Sequence, residues 1–131
     1  MLLHLNLINK TILVVDDEEN NWLFIKDLLE DTKVNLVWAI VGQQAIDIVS
    51  SGQKIDLILM DMKMPVLDGF ETTRKIKEIN NAIPVIAHTA FALPEERDKC
   101  IASGCDAYIS KPINIDEFLA LINDILKNPG A

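Results

Sequence analysis

The sequence predicts an open α/β sheet of five parallel strands with a helix after each. Five short apolar runs recur along the 131 residues: Ile12 to Val15, Val34 to Ala39, Ile55 to Met60, Pro84 to Ala87 and Ala107 to Ile109. Most are continuous rather than alternating, the pattern of strands covered on both faces. Helix-like stretches fill the intervals, so the order is βαβαβαβαβα, which packs as a doubly wound sheet.

The last helix is the most regular, with Ile115, Phe118, Leu119, Ile122, Ile125 and Leu126 at steps of three and four on one face. Asn114 is placed to cap it, with Glu117 completing a capping box, and Asp68 and Glu71 repeat the device ahead of Phe70, Ile76 and Ile79. Pro94 suits a first helical turn. Trp22, Ile25, Leu28 and Leu29 give the first helix its buried stripe. One domain is expected over residues 10–127, with a leader or linker remnant at 1–9 and a tail at 128–131.

Composition excludes several roles. Twelve basic against twenty acidic residues give a net charge of -8, which repels polyanions and argues against nucleic-acid binding. The apolar runs are too short to cross a bilayer, so no membrane contact is expected of this domain. The leader has no basic start and no small-residue cleavage site, so it does not read as a signal peptide. Cys100 and Cys105 form no CxxC and no disulfide framework, which fits two small apolar side chains in a reduced, cytoplasmic setting.

Parallel sheets of this kind bind ligands at the carboxyl ends of their strands. The conspicuous polar residues fall there: Asp16 and Asp17 after strand one, Asp61 at strand three, Thr89 at strand four and Lys111 at strand five. Taken singly, each has a plain structural role, as a helix cap, a strand-end hydroxyl or a surface lysine. Taken together, three converging carboxylates call for a hard divalent cation with oxygen ligands, Mg²⁺ with Mn²⁺ as a substitute. The backbone carbonyl of Lys63 is a further candidate ligand. Lys111, the Thr89 hydroxyl and the Ala90 backbone N–H could offset the charge of a phosphoryl group arriving at Asp61.

At these residues the sequence closely resembles the receiver domain of two-component response regulators and hybrid histidine kinases. The resemblance runs from Lys10 to about Leu126. It is carried by Ile-Leu-Val-Val-Asp-Asp-Glu at 12–18, Leu-Met-Asp-Met-Lys-Met-Pro-Val-Leu-Asp-Gly at 59–69, His-Thr-Ala at 88–90 and Tyr-Ile-Ser-Lys-Pro at 108–112. It implies a flavodoxin-like sheet of order 2-1-3-4-5. Asp61 matches the phosphorylated aspartate, Asp16 and Asp17 the metal-binding acidic pair, Lys63 the carbonyl ligand, and Thr89 and Lys111 the phosphate-sensing pair. Tyr108 matches the switch aromatic, which turns inward on phosphorylation and remodels the face of helix four, strand five and helix five. The Lys111-Pro112 bond is expected to be cis, aiming the ammonium into the pocket. The implied donors are a histidine kinase or a histidine phosphotransfer protein.

Phe91 and Met62 are expected at the pocket rim, where the Phe91 ring could shield an acyl phosphate from water. His88 is expected to turn away from the catalytic side by strand alternation. Two rival readings fare worse. An Mg²⁺-dependent aspartyl-phosphate phosphatase of the haloacid dehalogenase kind needs a second aspartate two residues after the nucleophile, where this chain has Lys63. A flavodoxin-like cofactor binder needs a Ser/Thr/Gly-rich loop after strand one, where Asp16, Asp17, Glu18 and Glu19 would repel an anion. The apolar leader and the generic wording around Asp61 favour a receiver from a hybrid kinase over a free-standing one.

Overall fold

Continuous apolar strands must be covered on both faces, and the chain does this with two separate dry layers. The computed structural model describes residues 5–90 and 94–127. Its strands are β1 (Thr11–Val15), β2 (Asn35–Ala39), β3 (Leu57–Asp61), β4 (Val85–Thr89) and β5 (Ala107–Ser110). Its helices are α1 (Glu19–Leu29), α2 (Gly42–Ser50), α3 (Gly69–Ile79), α4 (Pro94–Ser103) and α5 (Ile115–Lys127), and a short 3₁₀ turn, Glu30–Thr32, follows α1. All pairings are parallel, in the order β2-β1-β3-β4-β5, the flavodoxin-like arrangement expected from the sequence.

Strand alternation divides the core. Leu13, Val15, Ile58, Met60, Val85 and Ala87 pack with Ala45, Val49 and Ile76 on the α2–α4 side. Ile12, Val14, Leu57, Leu59, Ile86 and Ile109 pack with Ile25, Leu29, Phe118 and Ile122 on the α1 and α5 side. The central strands β3 and β4 are buried along their whole length, whereas edge strand β2 begins exposed and edge strand β5 ends exposed. Ile55 is buried but precedes β3, because the chain first turns where the Thr11 N–H donates to the Asp56 carboxylate at 2.8 Å. In the leader, Leu5 and Leu7 are buried in the second layer, and the Leu7 N–H donates to the Thr32 carbonyl at 2.7 Å.

Helix starts follow local chemistry. The Glu71 N–H donates to Asp68 Oδ1 at 2.9 Å and the Glu117 N–H to Asn114 Oδ1 at 3.0 Å, each satisfying a donor the helix leaves unpaired. The Lys111-Pro112 bond is cis. Of the α1 stripe, Ile25 and Leu29 are buried while Trp22 and Leu28 are only partly covered. Among the described residues, no helix is long and apolar enough to cross a membrane.

The join between β3 and α3 is the tightest in the site region. A Cβ on Gly69 would lie 2.4 Å from the Asp61 carbonyl and 2.6 Å from the Met62 Cα, so only glycine lets α3 start against the end of β3. Gly69→Ala is expected to cost roughly 1–3 kcal/mol by overpacking. Gly52→Ala has open space around it and carries only the strain of its φ of +84°, roughly 1 kcal/mol. Urea denaturation of the two variants should rank them in that order; equal losses would mean that the contact at Gly69 relaxes freely.

Candidate functional site

The strand order sets β1 directly beside β3, and the register pairs Val15 with Met60. The next residue on each strand is therefore an aspartate, and Asp16 and Asp61 meet at the carboxyl edge of the sheet. Carboxylate oxygens of Asp16, Asp17 and Asp61 all lie within 4.8 Å of one another. Asp16 and Asp61 are buried, while Asp17 is exposed.

Asp16 is held from four directions. Its N–H donates to the Ala39 carbonyl at 3.0 Å, and its own carbonyl accepts the Trp38 indole N–H at 2.8 Å. Its carboxylate accepts the Glu18 N–H at 2.9 Å and the Asn21 side-chain amide at 3.1 Å. Burial nevertheless pushes its pKa up to about 6; the Glu18 N–H opposes the shift and the Asp61 charge reinforces it. The alternative role as helix cap does not apply, since Glu18 is the N-cap of α1 and no side chain caps the helix.

Asp61 closes β3. Its Oδ1 accepts the Lys63 N–H at 3.2 Å and pairs with Lys111 Nζ at 3.1 Å. Burial raises its pKa; the Lys63 N–H and the Lys111 ammonium pull the other way, and Asp17 adds repulsion. Three oxygens of this kind form a hard, anionic donor set that fits Mg²⁺ or Mn²⁺.

Of the other expected residues, Thr89, Ala90 and Tyr108 lie on or just after β4 and β5. Thr89 is buried at the end of β4, and its carbonyl accepts the Lys111 N–H at 2.9 Å, which ties the carboxyl ends of β4 and β5 together. Ala90 follows it at an exposed position. Tyr108 is half-buried against the α2–α4 layer, its hydroxyl accepts from Arg97 of α4, and the guanidinium carbon lies 5.1 Å from the ring centroid. Phe91 lies outside the described residues.

Two expectations are corrected. Met62 is not at the rim: it is 2% exposed and belongs to the α2–α4 core, on the face that strand alternation already gives Met60. His88 does not turn away from the site. It pairs in register with Asp61 and Ile109, and with Lys111, Asn21, Phe24, Ile25, Pro112 and Ile113 it lines a cavity of about 430 Å³. Burial and the nearby Lys111 charge lower its pKa to about 4, so it is neutral at pH 7, and among the described residues its Nε2 has no hydrogen-bond partner. Asn21, Trp38 and Arg97 were missed altogether. Each reaches the site from another element, and only the i to i+5 spacing of Asp16 and Asn21 left any trace in the sequence.

Comparisons with known proteins agree with this geometry. The family model of the response regulator receiver domain matches residues 12–123. The polar-differentiation response regulator DivK of Brucella anthropi is 36% identical over 119 residues, which cover 89% of this chain and 96% of the relative. The receiver domain of the Pseudomonas aeruginosa sensor histidine kinase PA1611, solved with a magnesium ion in its active-site cleft, superimposes with a TM-score of 0.83 at 32% identity, covering 91% of this chain and 98% of that one. A two-component response regulator from Clostridium difficile, at 24% identity, shares the fold with a TM-score of 0.87 over 94% of this chain and all of its own. With its acidic cluster at the ends of β1 and β3 and the family match spanning nearly the whole sheet, the chain belongs to the response regulator receiver domains, which are signalling domains.

Proposed function

We propose that Asp61 accepts a phosphoryl group from a phosphohistidine and that the domain relays the resulting change of charge to a protein partner. The observation that carries this reading is the double engagement of Asp61. One buried carboxylate faces two further carboxylates on one side and the Lys111 ammonium, at 3.1 Å, on the other. A purely structural ion pair would have no use for Asp16 and Asp17, which raise the cost of keeping Asp61 ionised.

Asp16, Asp17 and Asp61, with the Lys63 carbonyl, would hold Mg²⁺, which when bound neutralises carboxylate charge and draws a phosphoryl oxygen to the site. Asp61 supplies the attacking oxygen: an O–P bond forms as the P–N bond of the donor histidine breaks, and the imidazole leaves. Lys111 then shifts its ammonium from the carboxylate to a phosphoryl oxygen. Thr89 donates its hydroxyl, and Ala90 its N–H, to another. Later attack by water at phosphorus releases phosphate and restores Asp61.

A phosphoryl group that draws in the Thr89 hydroxyl vacates space beneath Tyr108. We read Tyr108 as the switch residue and Arg97 as the contact that favours its outward position. Only a few kcal/mol need separate the two forms for phosphorylation to redistribute them. The donor is a histidine kinase or histidine phosphotransfer protein, in the cytoplasm. The parent chain is read as a hybrid kinase; an intact reading frame no longer than this domain would refute that part.

Beryllofluoride with Mg²⁺ should change the tryptophan emission and the amide spectrum of the protein, and both Asp61→Asn and chelation of Mg²⁺ should abolish the change. Identical responses from wild type and Asp61→Asn would overturn the acceptor role.

The acidic cluster also sets a pH dependence. Folded Asp16 titrates near 6 against its ordinary 3.8, so between these values the folded chain binds more protons than the unfolded one. Stability of the metal-free protein therefore falls as pH rises through that window, by on the order of 2 kcal/mol, and Asp16→Asn should flatten the slope. Mg²⁺ should stabilise at pH 7.5 and lose its effect near pH 5, where protons compete. Thermal denaturation with and without Mg²⁺ reads both.

Tyr108 is the sole tyrosine of the chain, so 3-fluorotyrosine labelling gives a single ¹⁹F resonance. Arg97→Ala should move that resonance in the direction that beryllofluoride moves it in wild type. Movement the opposite way, or none, would remove Arg97 from the switch.

A further inference from the structure

We infer that Trp38 is a positioning residue for the acidic pair, holding the peptide between Asp16 and Asp17 so that Asp17 faces Asp61. This rests on the cation site proposed above. Trp38 is the fourth residue of β2, opposite Val14 in the register, on an edge strand where nothing in the ladder requires so large a side chain. An indole N–H can only donate, and a partly buried one needs an acceptor. Here the acceptor is the Asp16 carbonyl at 2.8 Å.

That carbonyl lies just past the last residue of β1, where the chain leaves the sheet. Holding it fixes the plane of the Asp16–Asp17 peptide and with it the direction in which the Asp17 side chain departs. The two acids differ in what else restrains them. The Asp16 carboxylate is already gripped by the Glu18 N–H and Asn21, whereas Asp17 is exposed and is repelled by the neighbouring charge of Asp61. The indole bond therefore matters most for Asp17, the acid most able to swing into solvent when no cation is bound.

The indole is itself fixed. Trp22 of α1 stacks on it with centroids 5.3 Å apart and planes within 5°. The two rings form one slab beside the acidic pair, and they are the only tryptophans in the chain. Outer residues that orient metal ligands through direct side-chain contact typically change affinity ten- to hundredfold when lost. A single neutral hydrogen bond acting through the backbone belongs at or below the low end, about three- to tenfold.

The test is a Mg²⁺ titration followed by ¹⁵N NMR, in which the two indole N–H peaks are assigned with Trp22→Phe. The Trp38 indole peak should move with saturation in wild type and in Trp22→Phe, because the cation draws charge from the carbonyl it donates to. Trp38→Phe keeps a ring against Trp22 but removes the donor; Mg²⁺ affinity, read on the backbone amides near Asp61, should fall about three- to tenfold. Trp22→Phe should leave it unchanged, although both variants lose comparable thermal stability without metal. Wild-type affinity in Trp38→Phe would overturn the inference, as would equal weakening by Trp22→Phe, which would assign the effect to packing. A wild-type protein that binds no Mg²⁺ would instead overturn the cation site and the inference with it.

Discussion

Three carboxylates share the carboxyl edge of this sheet with oxygens no more than 4.8 Å apart, and most of the surrounding structure answers to their mutual repulsion. The crowding follows from topology. Order β2-β1-β3-β4-β5 makes β1 and β3 neighbours, and their register brings Asp16 and Asp61 out of the sheet together. Dry layers on both faces then raise the cost of each charge, which is why burial is the largest influence on both residues. The chain offsets that cost only in part, with the Glu18 and Lys63 N–H groups, the Asn21 amide and the Lys111 ammonium. A site left short of positive charge is a site that gains from binding it.

The two cores hold this frustrated edge in place from below. Because β3 and β4 are buried throughout, Asp61 and Thr89 cannot shift along their strands without disturbing Ile58, Met60, Val85 and Ala87. Gly69 brings α3 against the Asp61 carbonyl, and Met62, turned into the same core, closes that corner. Close packing of this kind makes small displacements costly, so a change of charge at Asp61 is relieved by moving side chains at the sheet edge rather than the sheet.

Strands, helices and the main site residues were legible because their signals are local. A continuous apolar run ending in Asp, Thr or Lys states both the strand and the position of the polar group at its carboxyl end. Asp68 and Asn114 announced their helices in the same way. Contacts between side chains from separate elements were not legible. Nothing near Trp38 says that its indole will meet a carbonyl 22 residues earlier, and nothing near Arg97 says that it will meet Tyr108. Met62 and His88 are a different case, because the information was present. Alternation from Met60 sends Met62 into the core, although it adjoins Asp61. Alternation does set His88 opposite to Thr89, but Asp61 and Lys111 share the face of His88, so turning away from Thr89 is not turning away from the site.

Parity also explains how one site can address a distant face. Asp61 and Lys111 continue the alternation of Leu59 and Ile109, on the α1 and α5 side, whereas Tyr108 packs on the α2–α4 side and Thr89 continues the alternation of Val85 and Ala87 toward it. Thr89 thus stands between the two faces, bound through its carbonyl to the Lys111 N–H and one residue beyond His88, the register partner of Asp61. On the proposed function, a phosphoryl group on Asp61 competes for the Thr89 hydroxyl from one face while the Tyr108 ring gains the volume it leaves on the other. Arg97 opposes that move from α4, so the balance is struck between one hydrogen-bonded cation–π contact at the surface and one new charge in the pocket. Such a balance is adjustable at Arg97 without touching the acidic cluster, which separates the chemistry of the site from the sensitivity of its output.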